Sequence, residues 1–140
     1  MADKSKVAQQ FIQALPHARP LGLQLTEIGN GKAAITMPYA DHIVGDLKTG
    51  VIHGGAVSAV MDTCCGAAVM SHPSTPMGTA TIDLRIDYMR AATPGQRILT
   101  RATCHHMTRN VAFVRATAMD EDEANPVATA VGAFTVESKF

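Results

Sequence analysis

Two residues stand out for the chemistry they could do: His53 and Asp62, set at either end of a run of small and apolar residues. The stretch from Thr49 to Met70 opens on a polar, glycine-rich turn, Gly50-Val51-Ile52-His53-Gly54-Gly55. It continues into what would be a fully buried helix were Asp62 not its one carboxylate. An ionised aspartate in apolar surroundings is costly unless it is paired, hydrated or protonated, so the position suggests a nucleophile or a general base. A helix beginning near Gly54-Gly55 points unpaired backbone N–H groups and partial positive charge outward, and glycine lets a ligand come close. Such a turn suits a carbonyl oxygen that becomes an oxyanion.

The two ends of this stretch are too far apart to serve one substrate within one chain. Eight residues of helix separate Gly54 from Asp62, about 12 Å at ~1.5 Å per residue. If both act on one carbonyl, the acid must come from a neighbouring subunit. The protein is then at least a two-fold dimer with two shared sites.

The elements that must position these residues follow from periodicity. Val7, Ala8, Phe11, Ile12 and Leu15 recur at helical spacing, which predicts an N-terminal amphipathic helix over about 4–15, stopped by Pro16. Leu23–Ile28 and Lys32–Met37 flank Gly29-Asn30-Gly31 and predict a hairpin. The central helix is expected from about Gly55 to Met70, ended by Ser71-His72-Pro73. Beyond it Thr81–Tyr88 alternates strictly, with Ile82, Leu84, Ile86 and Tyr88 on one face. Arg97–His105, Val111–Met119 and Val127–Val136 follow as strands. Four consecutive strands predict an antiparallel meander that the first hairpin joins. The economical fold is α+β, a curved antiparallel sheet of five to six strands around one long central helix. Small residues on both partners let the backbones approach. No repeat, linker or domain boundary is visible over 1–140.

Composition removes several classes of function. Twelve basic and twelve acidic residues leave no formal net charge, so no basic surface for nucleic acid or an anionic membrane is expected. Trp is absent and aromatic residues are few, which argues against base stacking. Three cysteines, two of them adjacent at Cys64-Cys65, offer neither a bridging framework nor a CxxC pair, and a reducing, cytoplasmic location fits. Residues Met1–Phe11 hold charges but no apolar core of a secretory signal. The run from Val51 to Met70 contains His53, Asp62 and three glycines and reads as a buried helix rather than a membrane span. A metal site built from His53, Asp62, His72 and His105-His106 has no ligand spacing to support it, and none is expected.

The order of helix, hairpin, HGG-led helix and strands resembles the hotdog fold. Gly50-Val51-Ile52-His53-Gly54-Gly55, followed at fixed distance by Met61-Asp62-Thr63, looks like the acyl-CoA thioesterases of the phenylacetate-degradation type, relatives of 4-hydroxybenzoyl-CoA thioesterase. Ile82–Arg90 is similar to that family's next strand, and the likeness covers roughly 21–136. The resemblance implies an acyl-CoA substrate and no separate cofactor, coenzyme A being part of the substrate. It implies an oxyanion donor at the Gly54 N–H, with His53 shaping the turn or polarising the thioester carbonyl, a nucleophile or base at Asp62 and a supporting hydroxyl at Thr81. It also implies a homodimer with shared sites, pairing into a tetramer. Many relatives carry Asn six residues before the HGG histidine, where this chain has Leu47; the difference favours direct use of Asp62 and His53 over an amide-assisted water.

Further candidates for substrate contact are Gly55, Leu47, Met61 and Cys65 around the turn and helix, with Arg90 and Arg109 toward the phosphates of coenzyme A. Flexible methionines, Met61, Met70, Met77 and Met89, suit an adaptable pocket for a small or medium acyl group. Cys64 and Cys65 also read simply as core residues, and Arg90 and Arg109 as solvated strand ends or turns. The alternatives are a 3-hydroxyacyl-thioester hydratase or dehydratase on the same fold, and a binding module that keeps the pocket without turnover.

Overall fold

A computed structural model describes residues 4–138. The expectations for the first three residues, and for burial of the Val7 and Ala8 side chains, lie outside the described residues. The chain runs α1 (Lys4–Ala14), α2 (Ala18–Leu21), β1 (Gln24–Gly29), β2 (Lys32–Met37), a 3-10 turn (Asp41–Ile43), α3 (Gly54–Met70), β3 (Thr81–Tyr88), β4 (Ile98–Met107), β5 (Val111–Met119) and β6 (Ala128–Thr135). The six strands form one antiparallel sheet in the order β1-β2-β4-β5-β6-β3. It curves around α3, the hotdog arrangement. Val57, Val60, Met61, Cys64, Cys65, Ala68 and Val69 point into the core from α3, against Ala33 and Ile35 of β2, Ala102 of β4, and the alanines of β5 and β6. Alanine on the strands brings helix and sheet close together.

The strand order corrects one expectation. Only β4, β5 and β6 form a meander; β3 crosses to the far edge and pairs with β6. The nine-residue link 89–97 is long for a tight hairpin, which takes about 2–5 residues. It instead runs across the end of the sheet and is tied to the β5–β6 loop. Met89 N–H donates to the Val127 carbonyl at 2.8 Å, and Arg90 reaches Asp120 with two hydrogen bonds, 2.7 and 2.8 Å. The loop over 120–125 is therefore the clamp for this crossing.

The two sheet edges differ. At the β1 edge α1 lies alongside, and the Leu25 N–H donates to the Gln9 side chain at 3.0 Å. The β3 edge has no neighbour among the described residues and carries exposed Ile82 and Tyr88, with Met89 just beyond. On α3 a stripe through Gly55, Ser58, Ala59, Asp62, Gly66 and Met70 is also left partly open, at the three- and four-residue spacing of one helix face.

Candidate active site

The HGG turn is built by a short loop that folds back on itself. Val44 and Ile52 form an antiparallel bridge, and the His53 N–H donates to the Ile43 carbonyl at 2.8 Å. A side chain at Gly45 would sit 2.8 Å from the His53 Cα, so only glycine allows this approach. His53 is extended (φ −60°, ψ 133°) and caps α3, its Nδ1 accepting from the Gly55 N–H at 2.8 Å. In the neutral ring this places the proton on Nε2, which is left free to donate. The His53 carbonyl takes the N–H groups of Ala56 and Val57. The Gly54 N–H has no partner among the described residues, and residues 53–55 are exposed. The Tyr88 hydroxyl donates to the Gly54 carbonyl at 2.8 Å, and its ring lies 3.5 Å from where a Gly54 Cβ would stand. Tyr88 thus braces the turn from the far edge strand, a role the alternation of β3 did not reveal.

Asp62 lies two helical turns further along α3. It is half-buried on the open stripe, which corrects the expectation of an acid set in wholly apolar surroundings. The Thr81 hydroxyl donates to its Oδ1 at 2.6 Å. This contact depends on a β-bulge. Leu84, Ile86 and Tyr88 pair with Gly132, Ala130 and Ala128 and so face inward with them. Strict alternation would turn Thr81 outward. The register slips between Thr81 and Asp83, however, leaving Thr81 opposite Phe134, whose side chain is buried. The extra residue, Ile82, is pushed into solvent, and Thr81 is re-aimed at Asp62. Asp83 compensates the broken ladder by accepting the Ala133 N–H at 3.1 Å. Gly132 leaves the room: a Cβ there would stand 2.3 Å from the Asp83 carbonyl oxygen. A glycine inside a strand was the available signal.

Several further candidates occupy other positions. Met61 and Cys65 are 0% exposed and face the sheet, so neither offers surface to a ligand in this chain. Burial, then the negative charge of Asp62, pushes the Cys65 thiol up to about 12, and burial raises Cys64 as well. Neither is a thiolate nucleophile. Arg90 is committed to Asp120 rather than directed at a phosphate. Leu47 stands at the tip of the loop before the HGG turn and is 94% exposed. Arg109 is exposed in the β4–β5 turn, without an ion pair among the described residues. No three metal-ligating side chains converge among the described residues.

What this geometry presents is an acid with a hydroxyl partner beside a largely apolar cavity and, two helical turns away, a helix start with a free N–H and an imidazole donor. This combination on a hotdog sheet is that of a thioester-cleaving class of protein. The family model of the Thioesterase superfamily matches residues 49–127, and the chain belongs to that family of thioester hydrolases. Among curated relatives, the medium/long-chain acyl-CoA thioesterase YigI of Salmonella typhimurium is 26% identical over 132 residues, covering 84% of this chain and 83% of that protein. A crystal structure from Pseudomonas aeruginosa superposes with a TM-score of 0.83 at 37% identity, covering 94% of this chain and 97% of the other. The Escherichia coli PaaI protein of the phenylacetic acid degradation operon has the same fold, with a TM-score of 0.82 at 19% identity over 96% of both chains.

Proposed function

We propose that this protein hydrolyses acyl-CoA thioesters in a two-fold dimer, each site taking the HGG turn from one protomer and Asp62 from its partner. The observation that carries the reading is the disposition of α3. Its one carboxylate is held by Thr81 on an open face, about 12 Å along the helix from the free Gly54 N–H. The uncovered β3 edge and the open stripe of α3 support the dimer, because a two-fold axis beside β3 would pair that edge and bury both. The resemblance extends this to pairs of dimers.

In the reaction, the thioester carbonyl accepts from the Gly54 N–H, with His53 Nε2–H as second donor. The partner's carboxylate either attacks the carbonyl carbon or takes a proton from the water that attacks it. Charge gathers on the carbonyl oxygen in the tetrahedral intermediate, where the donors are already aimed. Collapse breaks the C–S bond and expels coenzyme A as thiolate, which then takes up a proton. A carboxylate attack leaves an anhydride that water hydrolyses to the free acid, regenerating Asp62. Three unbridged cysteines support a cytoplasmic setting, and no helix of the described residues is long and apolar enough to cross a membrane.

A panel of acyl-CoAs assayed for released thiol tests the reading. Hydrolysis frees coenzyme A; hydration of an enoyl-CoA changes its absorbance without freeing thiol; a binding module does neither. Thiol release lost in Asp62→Asn is the expected result, and release at the wild-type rate contradicts the assignment.

A further inference from the structure

The cavity beside Asp62 says more about the acyl group. It has a volume of about 440 Å³ and runs from Asp62 and Thr81 toward the C-terminal end of α3, away from the HGG turn. α1 closes one side with Phe11 and Ile12, joined by Leu15 just after it; Met77 stands on the approach to β3, and Met70 lies at the far end. The floor is open because residue 66, one turn beyond Asp62, is glycine. A Cβ there would meet only the edge of the Phe134 ring at 3.7 Å, so the backbone does not require glycine and the missing side chain leaves free volume. Apart from Asp62 and the hydroxyls of Thr63, Thr79 and Thr81, the lining offers no charged or polar side chain. The Thr63 and Thr79 hydroxyls already donate to carbonyls of Ala59 and Thr135.

We infer that this cavity is a ruler for a linear, medium-length acyl chain, with Gly66 as its floor and Met70 as its end stop. The inference rests on the thioesterase reading and deepens it. Asp62 and Met70 are two helical turns apart, about 12 Å at ~1.5 Å per residue. An extended chain advances roughly 1.2 Å per bond, so about eight to ten carbons fill that length. An aromatic acyl group would leave the far half empty. The unbranched, flexible Met70 and Met77 suit a chain of conformers better than a rigid ring.

The test is kcat/KM across straight-chain acyl-CoAs from two to sixteen carbons and benzoyl-CoA, followed by thiol release. The value is expected to rise about three- to fourfold per added methylene. It should peak at eight to ten carbons and fall beyond, with benzoyl-CoA at least tenfold below the peak. Gly66→Leu is expected to cut the ten-carbon value at least tenfold and the four-carbon value several-fold less. Met70→Ala, which opens the far end, should move the peak two or more carbons longer and stands independently should the leucine variant fail to fold. A flat profile, a preference for benzoyl-CoA, or equal losses on short and long chains in folded Gly66→Leu overturns the ruler and leaves the thioesterase reading intact. Release of thiol from none of these esters overturns that reading and the ruler with it.

Discussion

Two aspartates, Asp62 and Asp120, each stand where a carboxylate is unexpected, and their surroundings differ in a way that separates chemistry from architecture. Asp120 is 0% exposed and accepts five hydrogen bonds: two from Arg90, two from the N–H and hydroxyl of Thr93, and one from the Asp122 N–H. Every lone pair it can offer is used, and what it holds is the crossing of the chain from β3 to β4. Asp62 accepts one hydroxyl among the described residues and faces a cavity. A carboxylate with spare lone pairs beside an apolar space is equipped to meet a substrate; one fully subscribed by its own chain is equipped to hold the fold.

Exchanging each for its amide should break the comparison most sharply. Asp62→Asn is expected to lower kcat by roughly 10³-fold with the melting temperature nearly unchanged. Asp120→Asn should leave kcat of the folded protein within a few-fold. It should cost about 3 kcal/mol of stability by leaving Arg90 without its charge partner, a drop of roughly 10 °C in melting temperature. Differential scanning calorimetry and thiol release on the same samples check both.

Acid should sharpen the same contrast. Arg90 first, then the donors of Thr93 and Asp122, hold the Asp120 carboxyl well below the usual carboxylate range against the opposing effect of burial. A folded-state value below the unfolded one contributes stability that is complete above the unfolded value and is lost as pH falls toward the folded one. The wild-type melting temperature should therefore fall as pH drops from about 4 to 2, and Asp120→Asn should flatten that slope.

Smaller effects test what supports Asp62 and the turn. Thr81→Val removes the hydroxyl while keeping the shape and should lower kcat about tenfold. Gly132→Ala should match that loss by forcing the bulge out of register, and also cost about 2 kcal/mol of stability. Tyr88→Phe, which frees the Gly54 carbonyl, is expected to reduce kcat only about three- to fivefold, with KM little changed.

These contrasts also mark what the sequence could reveal. The span of α3, the hairpin and the HGG turn were legible because each is local: small-residue runs, glycine and asparagine turns, and a histidine placed to cap. The exposure of Asp62 was not, because which face of an almost wholly apolar helix looks outward depends on where the sheet ends. β3 alternates so cleanly that it reads as the first strand of a meander; its place at the far edge rests on its pairing with β6 and on the Arg90–Asp120 clamp, thirty residues apart in sequence. The same clean alternation hid the bulge that turns Thr81 inward. Arg90 looked free for phosphate only because its partner lay on a distant loop. Met61 and Cys65, next in line to Asp62 and Gly66, lie about 100° around the helix from them and face the core.

The central claim, that each site is assembled from two protomers, is tested most directly by mixing two inactive variants. Asp62→Asn removes the acid. Gly54→Pro removes the oxyanion N–H at the first helical position, where proline is tolerated and the extended His53 accepts it as neighbour. Random reassociation of equal amounts puts half of the dimers into hybrids, each with one intact site. The account predicts recovery of about a quarter of wild-type thiol release from a mixture whose components are each nearly inactive. No recovery, with hybrid dimers demonstrated by mass spectrometry, would contradict it.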